Sequence, residues 1–215
     1  VGTQVSFTGG RGNETVVVTL AANSTFDDFT GGLGDDRLII VADGGSIGQF
    51  TGAINLKGDK ADGSGTGTDT LHVVGTLDLS NATIAQFENL FIDNVSAQTV
   101  TISHSQLSAF TGTITGDGVS TLVLTGSSVD ISSTGLAFSN VHTVQLAANM
   151  VLTVSLSQLG KIGLVDTSAS SSSVSVDLSG VTIDGETINI SNTLLGAGTI
   201  NVALANNAVF VISAA

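Results

Sequence analysis

The 215-residue chain has no cysteine, proline, tryptophan or tyrosine, and only five of its residues are Lys or Arg. Without cysteine there can be no disulfide framework, zinc–thiolate site or thiol nucleophile. Eighteen acids against five bases give a formal charge of −13 and a pI near 4.1. Such a surface repels phosphate, because nucleic-acid affinity depends on Lys and Arg displacing counterions. Nucleic acid and anionic membrane are therefore not expected as partners. No apolar run approaches the roughly 18 residues of a membrane span, so membrane insertion is not expected either. With 18 acids but only three of them Glu, and few Lys or Arg, little of the chain could clothe the exposed face of a helix. The chain opens at Val1 with neither Met nor signal peptide, which reads as a processed chain or a segment of something larger.

Gly, Ser, Thr and Val are abundant, and 41% of residues are hydrophobic with a mean hydropathy of +0.44, too apolar for a disordered segment. Short alternating runs recur along the whole length, among them Val16–Leu20, Leu38–Val41, Leu71–Val74, Leu122–Leu124, Leu152–Val154, Val174–Leu178 and Val209–Ile212. Each ends at Gly, Asn, Asp or Ser, so the pattern predicts many short strands joined by turns.

An internal repeat narrows the architecture. Ile47-Gly-Gln-Phe50-Thr-Gly-Ala-Ile54 aligns with Ile84-Ala-Gln-Phe87-Glu-Asn-Leu90 and with Leu107-Ser-Ala-Phe110-Thr-Gly-Thr-Ile114. Looser copies lie around Phe138 and Leu159. The anchors Phe50, Phe87, Phe110, Phe138 and Leu159 are 37, 23, 28 and 21 residues apart. Spacings in the twenties suit single coils of a solenoid, the longest gap holding an insertion or an extra coil. The anchors are expected to form an interior ladder, a ligand-binding aromatic row being the alternative. The sequence thus predicts an all-β, right-handed parallel β-helix (β-solenoid). Residues 1–79 would form a Gly/Asp-rich β-roll or the first solenoid coils, and residues 80–215 would continue the same stack, with the hand taken from known folds.

The N-terminal part holds 10 of the 18 acids and three turns that fit G-G-x-G-x-D-x-U-x, where U is a large apolar residue. They are Gly31-Gly-Leu-Gly-Asp-Asp36-Arg-Leu38-Ile, Gly9-Gly-Arg-Gly-Asn-Glu14-Thr-Val16-Val, and Ser64-Gly-Thr-Gly-Thr-Asp69-Thr-Leu71-His. Glycines allow the backbone to turn and aim carbonyls inward, while Asp supplies a hard anionic oxygen. These turns resemble the haemolysin-type (RTX) calcium-binding repeats of secreted bacterial proteins. The stretch Leu77–Ile92 is similar to β-solenoid repeats of bacterial surface-layer proteins and large RTX adhesins.

The resemblance implies a calcium-dependent parallel β-structure outside the cell. Carried over by position, Asp36 and Asp69 would be carboxylate ligands and Glu14 their equivalent. Carbonyls of Gly31, Leu33, Gly9, Arg11 and Thr66 would complete the shells. Asp27 and Phe29 keep the Asp and apolar positions of a degenerate neighbouring repeat, residues 22–30. The chain departs from the family in one respect: Gly9 and Gly31 are 22 residues apart, not a multiple of nine. A second acid pair, Asp59 and Asp62, reads equally as calcium-binding or exposed.

β-Helices also carry polysaccharide lyases and uronate epimerases. Acting on an acidic sugar needs cations to neutralise its carboxylate, plus an acid and a base. Beyond residue 80 the only Lys or Arg is Lys161. Paired carboxylates for glycoside hydrolysis would have to come from Asp177 with Asp184 or Asp117 with Asp130. His72, His104 and His142 are 32 and 38 residues apart and read as solvated or hydrogen-bonded. No Gly-x-Ser-x-Gly elbow occurs, and Gly63-Ser-Gly-Thr-Gly lacks the Lys and helix of a phosphate cradle.

The sequence therefore points to a non-catalytic structural segment of a secreted bacterial cell-surface protein, a surface-layer or filament subunit that is calcium-stabilised and self-assembling. Its partners would be copies of itself, in a lattice or filament, or a cell-surface polysaccharide. A glycan-binding adhesin module and a domain of a polyuronate-modifying enzyme are the alternatives.

Overall fold

The structure is a computed structural model that describes residues 6–20, 26, 28–42, 48–49, 54–59, 67–93, 97–169, 171–178, 194–195 and 199–203. Asp27, Phe50, Asp62, Thr66 and Asp184 lie outside the described residues.

The described chain is a parallel β-solenoid, built by short strands that take the same faces in turn. The first two strands are β1 (Ser6–Thr8) and β2 (Thr15–Leu20). The next coil is β3 (Asp28–Gly32), β4 (Arg37–Ala42) and β5 (Gly48–Gln49). It is followed by β6 (Asn55–Asp59), β7 (Thr70–Val74) and β8 (Leu77–Asp78), then by β9 (Thr83–Ala85), β10 (Asn89–Asp93) and β11 (Thr99–Ser103). After a one-turn helix α1 (His104–Leu107) come β12 (Thr113–Thr115), β13 (Thr121–Thr125) and β14 (Val129–Asp130). The last full coil is β15 (Ala137–Ser139), β16 (Val141–Leu146) and β17 (Val151–Ser155). A second one-turn helix, α2 (Leu156–Leu159), leads to β18 (Ile162–Asp166), β19 (Ser173–Asp177), β20 (Leu194–Leu195) and β21 (Thr199–Ala203).

The strands stack into four parallel sheets, in the orders β1-β3-β6-β9, β2-β4-β7-β10-β12-β15, β5-β8-β11-β13-β16-β18-β20 and β14-β17-β19-β21. In chain order α1 takes the place of the next first-sheet strand after β9, and β14 then opens the fourth sheet in that same place between the third and second sheets. Likewise α2 follows the last second-sheet strand, β15, and stands where its successor would come.

Alternation fills the interior. Leu38, Leu71, Leu90, Ile114 and Phe138 pair in register on successive coils, and all are buried. Strand residues between them face outward, so period-two patterning with one face inside accounts for the register. The aromatic stack is not the one the spacing predicts. Its rings are Phe7, Phe29 and Phe87, with centroids 5.6 and 6.0 Å apart. Phe87, Phe110, Phe138 and Leu159 are all interior, but Phe138 sits on Ile114 rather than on Phe110. Leu107 and Leu159 end the one-turn helices instead of leading strands. Phe87 and Phe110 hold matching places just ahead of β10 and β12, whereas Phe138 lies within a second-sheet strand and Leu159 ahead of a third-sheet one.

Both helices use the same device. Ser103 and Ser155 cap them, and Gln106 and Gln158 close reciprocal capping boxes onto the cap N–H groups. The buried amide of Gln106 also donates to the carbonyls of Leu79 and Ala82. That of Gln158 donates to the carbonyls of Ile131 and Leu136 at 2.9 and 2.8 Å. Each glutamine thus satisfies carbonyls in the neighbouring coil that a continuing strand would otherwise have met.

Candidate cation site

The three glycine–acid turns stack directly on one another. Arg37 donates its N–H to the carbonyl of Glu14 and Thr70 donates to that of Asp36, both at 2.8 Å. The coil spacings at this corner are 22, 33 and 19 residues, followed by 24 at the next. The 33-residue coil shows that the longest anchor gap contains an insertion within one coil. The separations that depart from multiples of nine are therefore coil lengths.

Carboxylates tie the turns together. Asp36 Oδ1 accepts from the N–H of Glu14 at 2.8 Å, and Asp69 Oδ1 from that of Asp36 at 2.7 Å. Glu88 Oε2 accepts from the N–H of Asp69 at 2.7 Å. A second, outer row runs the other way. Asn13 Oδ1 accepts from the N–H of Asp35 at 3.0 Å, and Asp35 Oδ1 from that of Thr68 at 2.8 Å. Adjacent Asp35 and Asp36 thereby bind the coils on either side of their own.

Asp36 and Asp69 are 1% and 0% exposed, yet the second oxygen of each, Oδ2, has no hydrogen-bond partner. Each faces a glycine. A Cβ on Gly31 would lie 2.4 Å from Asp36 Oδ2 and 2.1 Å from the carbonyl oxygen of Gly58. A Cβ on Gly58 would lie 2.4 Å from Asp69 Oδ2 and 1.9 Å from the carbonyl oxygen of Gln86. Glycine leaves a carboxylate oxygen and a carbonyl oxygen bordering the same space, which a side chain would fill. Asp59, which pairs with Gly32, adds a third buried oxygen without a partner.

A buried carboxylate oxygen without a donor disfavours the ionised form unless a proton or a cation meets it. Burial, joined by the charges of Glu14 and Asp59, pushes the Asp36 carboxyl up to about 6, against the lowering by the Glu14 N–H. Burial likewise pushes Asp69 up to about 6, with Asp59, Asp36 and Glu88 adding to it, and burial raises Asp59. All the donor atoms here are hard oxygens, the chemistry of Ca²⁺. The residues fit such an ion in kind: Asp36 Oδ2 with the Gly58 carbonyl, and Asp69 Oδ2 with the Gln86 carbonyl. Among the described residues no three His, Asp or Glu side chains gather as a metal-binding group. An ion here would draw most of its six to eight oxygens from backbone.

Of the residues expected to bind calcium, Gly9, Glu14, Gly31, Asp36 and Asp69 share this corner. The carbonyl of Gly31 abuts the Cα of Gly9. Arg11 and Leu33 lie in the stacked turns, where the Leu33 N–H donates to the Gly10 carbonyl at 3.0 Å. Sequence matching missed Gly58, Gln86 and Glu88. In the third turn Gly67 stacks on Gly34 as the frame requires, but the inner glycine is Gly58, on the far side of the insertion. Only its place in β6 beside β3, outside any nonapeptide, reveals it.

The remaining chemical candidates are dispersed. Asp117 accepts from the N–H groups of Val119 and Ser120, and Asp130 accepts from Ser132, each within its own turn. His72 is buried between Arg37 and Asp93, His104 bonds Ser127, and His142 is exposed beside Thr143. Comparison with family models, with curated proteins and with solved structures finds no match.

Proposed function

We propose that the chain is a non-catalytic structural segment of a secreted bacterial cell-surface protein, a right-handed solenoid rod stabilised by calcium and self-assembling into a lattice or filament. The observation that carries this reading is the pair of buried, unpartnered Oδ2 atoms of Asp36 and Asp69, each bordering the space beside a glycine together with a carbonyl of the adjacent coil. A divalent cation there would tie coil to coil and relieve the mutual repulsion of Glu14, Asp36, Asp59, Asp69 and Glu88. Stacked leucine columns and glutamine-closed helical turns support a stiff rod. Extracellular modules of this kind hold calcium at roughly 10⁻⁴–10⁻³ M, so millimolar calcium contributes on the order of 1 kcal/mol per site.

Light scattering during a calcium titration, from chelator to several millimolar, tests the reading. A reversible rise from one chain to large ordered particles is expected. A mass fixed at one chain throughout would remove self-assembly. An unchanged thermal midpoint would remove calcium.

A further inference from the structure

Where the second sheet gives way to the third, the solenoid has a notch of about 310 Å³, lined by Gly118, Asn140, His142, Lys161 and Gly163 over a floor that includes Val141 and Ile162. Its shape comes from residues that lack side chains. Gly163 follows Ile162, the partner of Val141, and a Cβ on it would come within 2.8 Å of the His142 carbonyl. Gly118 and Asn140 both take positive φ, +88° and +57°, as the tight turn before each strand requires.

The polar groups around this notch are unusual for the molecule. Lys161 is the only Lys or Arg beyond residue 60 in a chain of charge −13, and among the described residues it makes no ion pair. His142 Nδ1 bonds its neighbour Thr143 Oγ1 at 2.9 Å, which leaves Nε2 for another partner. Val141 and Ile162 are 1% and 4% exposed, so the core beneath the notch is closed and recognition falls to the polar groups on its rim.

We infer that this notch binds a carboxylate-bearing sugar, one uronate residue of an acidic polysaccharide. One ammonium matches one carboxylate. A phosphate would seek a cluster of free N–H groups or an arginine fork, and the N–H of Gly118 is already given to the Asn140 carbonyl at 2.8 Å. The Asn140 amide and the His142 imidazole suit ring hydroxyls. The volume lies at the lower end of ligand pockets, which begin near about 300 Å³. An open notch on the side of a rod admits one residue of a long chain without enclosing it. This inference does not depend on calcium or on self-assembly.

Trigalacturonate and uncharged maltotriose, titrated into the full chain at physiological salt and followed by calorimetry and His142 ring NMR, test it. Trigalacturonate should bind saturably and shift the His142 signals, while maltotriose should bind at least about tenfold more weakly, the loss of one charge-assisted contact. Lys161→Ala should abolish that preference. Asn140→Gly, which suits the positive φ, should weaken binding without unfolding the chain. Equal binding of the two sugars, binding indifferent to Lys161→Ala, or no saturable shift of His142 would each overturn the assignment.

Discussion

The backbone N–H of Asp36 donates to Asp69 Oδ1 at 2.7 Å while the Asp36 carboxylate itself accepts from the N–H of Glu14 at 2.8 Å. Each acid is thus both a rung for the coil on one side and a donor to the coil on the other. Its remaining oxygen is buried without a partner. A proton can meet that oxygen in the folded protein, and on the proposed function a calcium ion would compete with it.

The pH dependence follows with a definite sign. Both carboxyls are pushed from 3.8 to about 6, so the folded chain holds protons that the unfolded chain releases between those values. In chelator their contribution is most favourable below pH 3.8 and is lost as pH rises through about 6. The loss is on the order of 2–3 kcal/mol per carboxyl. Urea midpoints in chelator should therefore fall between pH 4.5 and 7.5. Calcium binds the ionised form, so its stabilisation should grow over the same interval. A midpoint flat with pH in chelator would refute the buried-acid account.

Asp36→Asn separates the two competitors. The amide keeps an acceptor for the Glu14 N–H and offers N–H to the Gly58 carbonyl. In chelator at pH 7.5 the variant should be more stable than the parent by on the order of 1–3 kcal/mol, and its calcium response should shrink. Destabilisation in chelator would show that the charge itself serves the folded state.

The glycine facing each acid is equally testable. Gly31→Ala places a Cβ 2.1 Å from the Gly58 carbonyl and 2.4 Å from Asp36 Oδ2, and the backbone oxygen cannot step aside cheaply. A loss of about 3 kcal/mol or more is expected. In Gly10→Ala the nearest contact is Glu14 Oε1 at 3.8 Å, so the change should stay within about 0.5 kcal/mol. Equal effects at the two positions would contradict the close stacking of the turns.

Much of this corner was legible in the chain. Alternation marked the columns through Leu38, Leu71 and Leu90, and the described parts of the turns that carry Glu14, Asp36 and Asp69 do stack. What escaped was set by coil length. The insertion before Asp69 moves the inner glycine to Gly58, and a nonapeptide template cannot span a 33-residue coil. Asp59, left open between a calcium role and exposure, has one buried oxygen without a partner. Gln106 and Gln158 escaped for a different reason. The pattern Ser-x-Ser-Gln-Leu occurs at both sites, but four-residue helices show no 3.6-residue period, and the neighbouring leucines read as strand anchors.

His72 titrates in the opposite sense to the acids. Arg37 Nη2 lies 2.8 Å from His72 Nδ1, and an arginine can only donate, so Nδ1 accepts and the ring proton sits on Nε2, which is 3.3 Å from Asp93 Oδ2. Burial, then the Arg37 charge, lowers its pKa below 6.5, against the opposing pull of Asp93. Its contribution is present above pH 6.5 and is lost as pH falls through the folded value. NMR should find the Nε2–H tautomer, and Arg37→Met should raise the His72 pKa. No rise would mean that Arg37 does not act on the ring.

The glutamine-closed turns give the sharpest stability test. Gln106 is 4% exposed, and its side chain accepts from the Ser103 N–H while donating to the Leu79 and Ala82 carbonyls. Gln106→Ala strands these backbone groups in the interior, at a cost of about 1–3 kcal/mol for each that water cannot reach. Ser103→Ala, which removes the cap acceptor alone, should cost about 1 kcal/mol. The two residues share one capping box, so the double variant should lose less than the sum of the singles. Gln158→Ala and Ser155→Ala should repeat the pattern, because α2 is built on the same contacts. Strict additivity in a denaturation cycle at both sites would show that the glutamines act on the neighbouring coil independently of the helix they close.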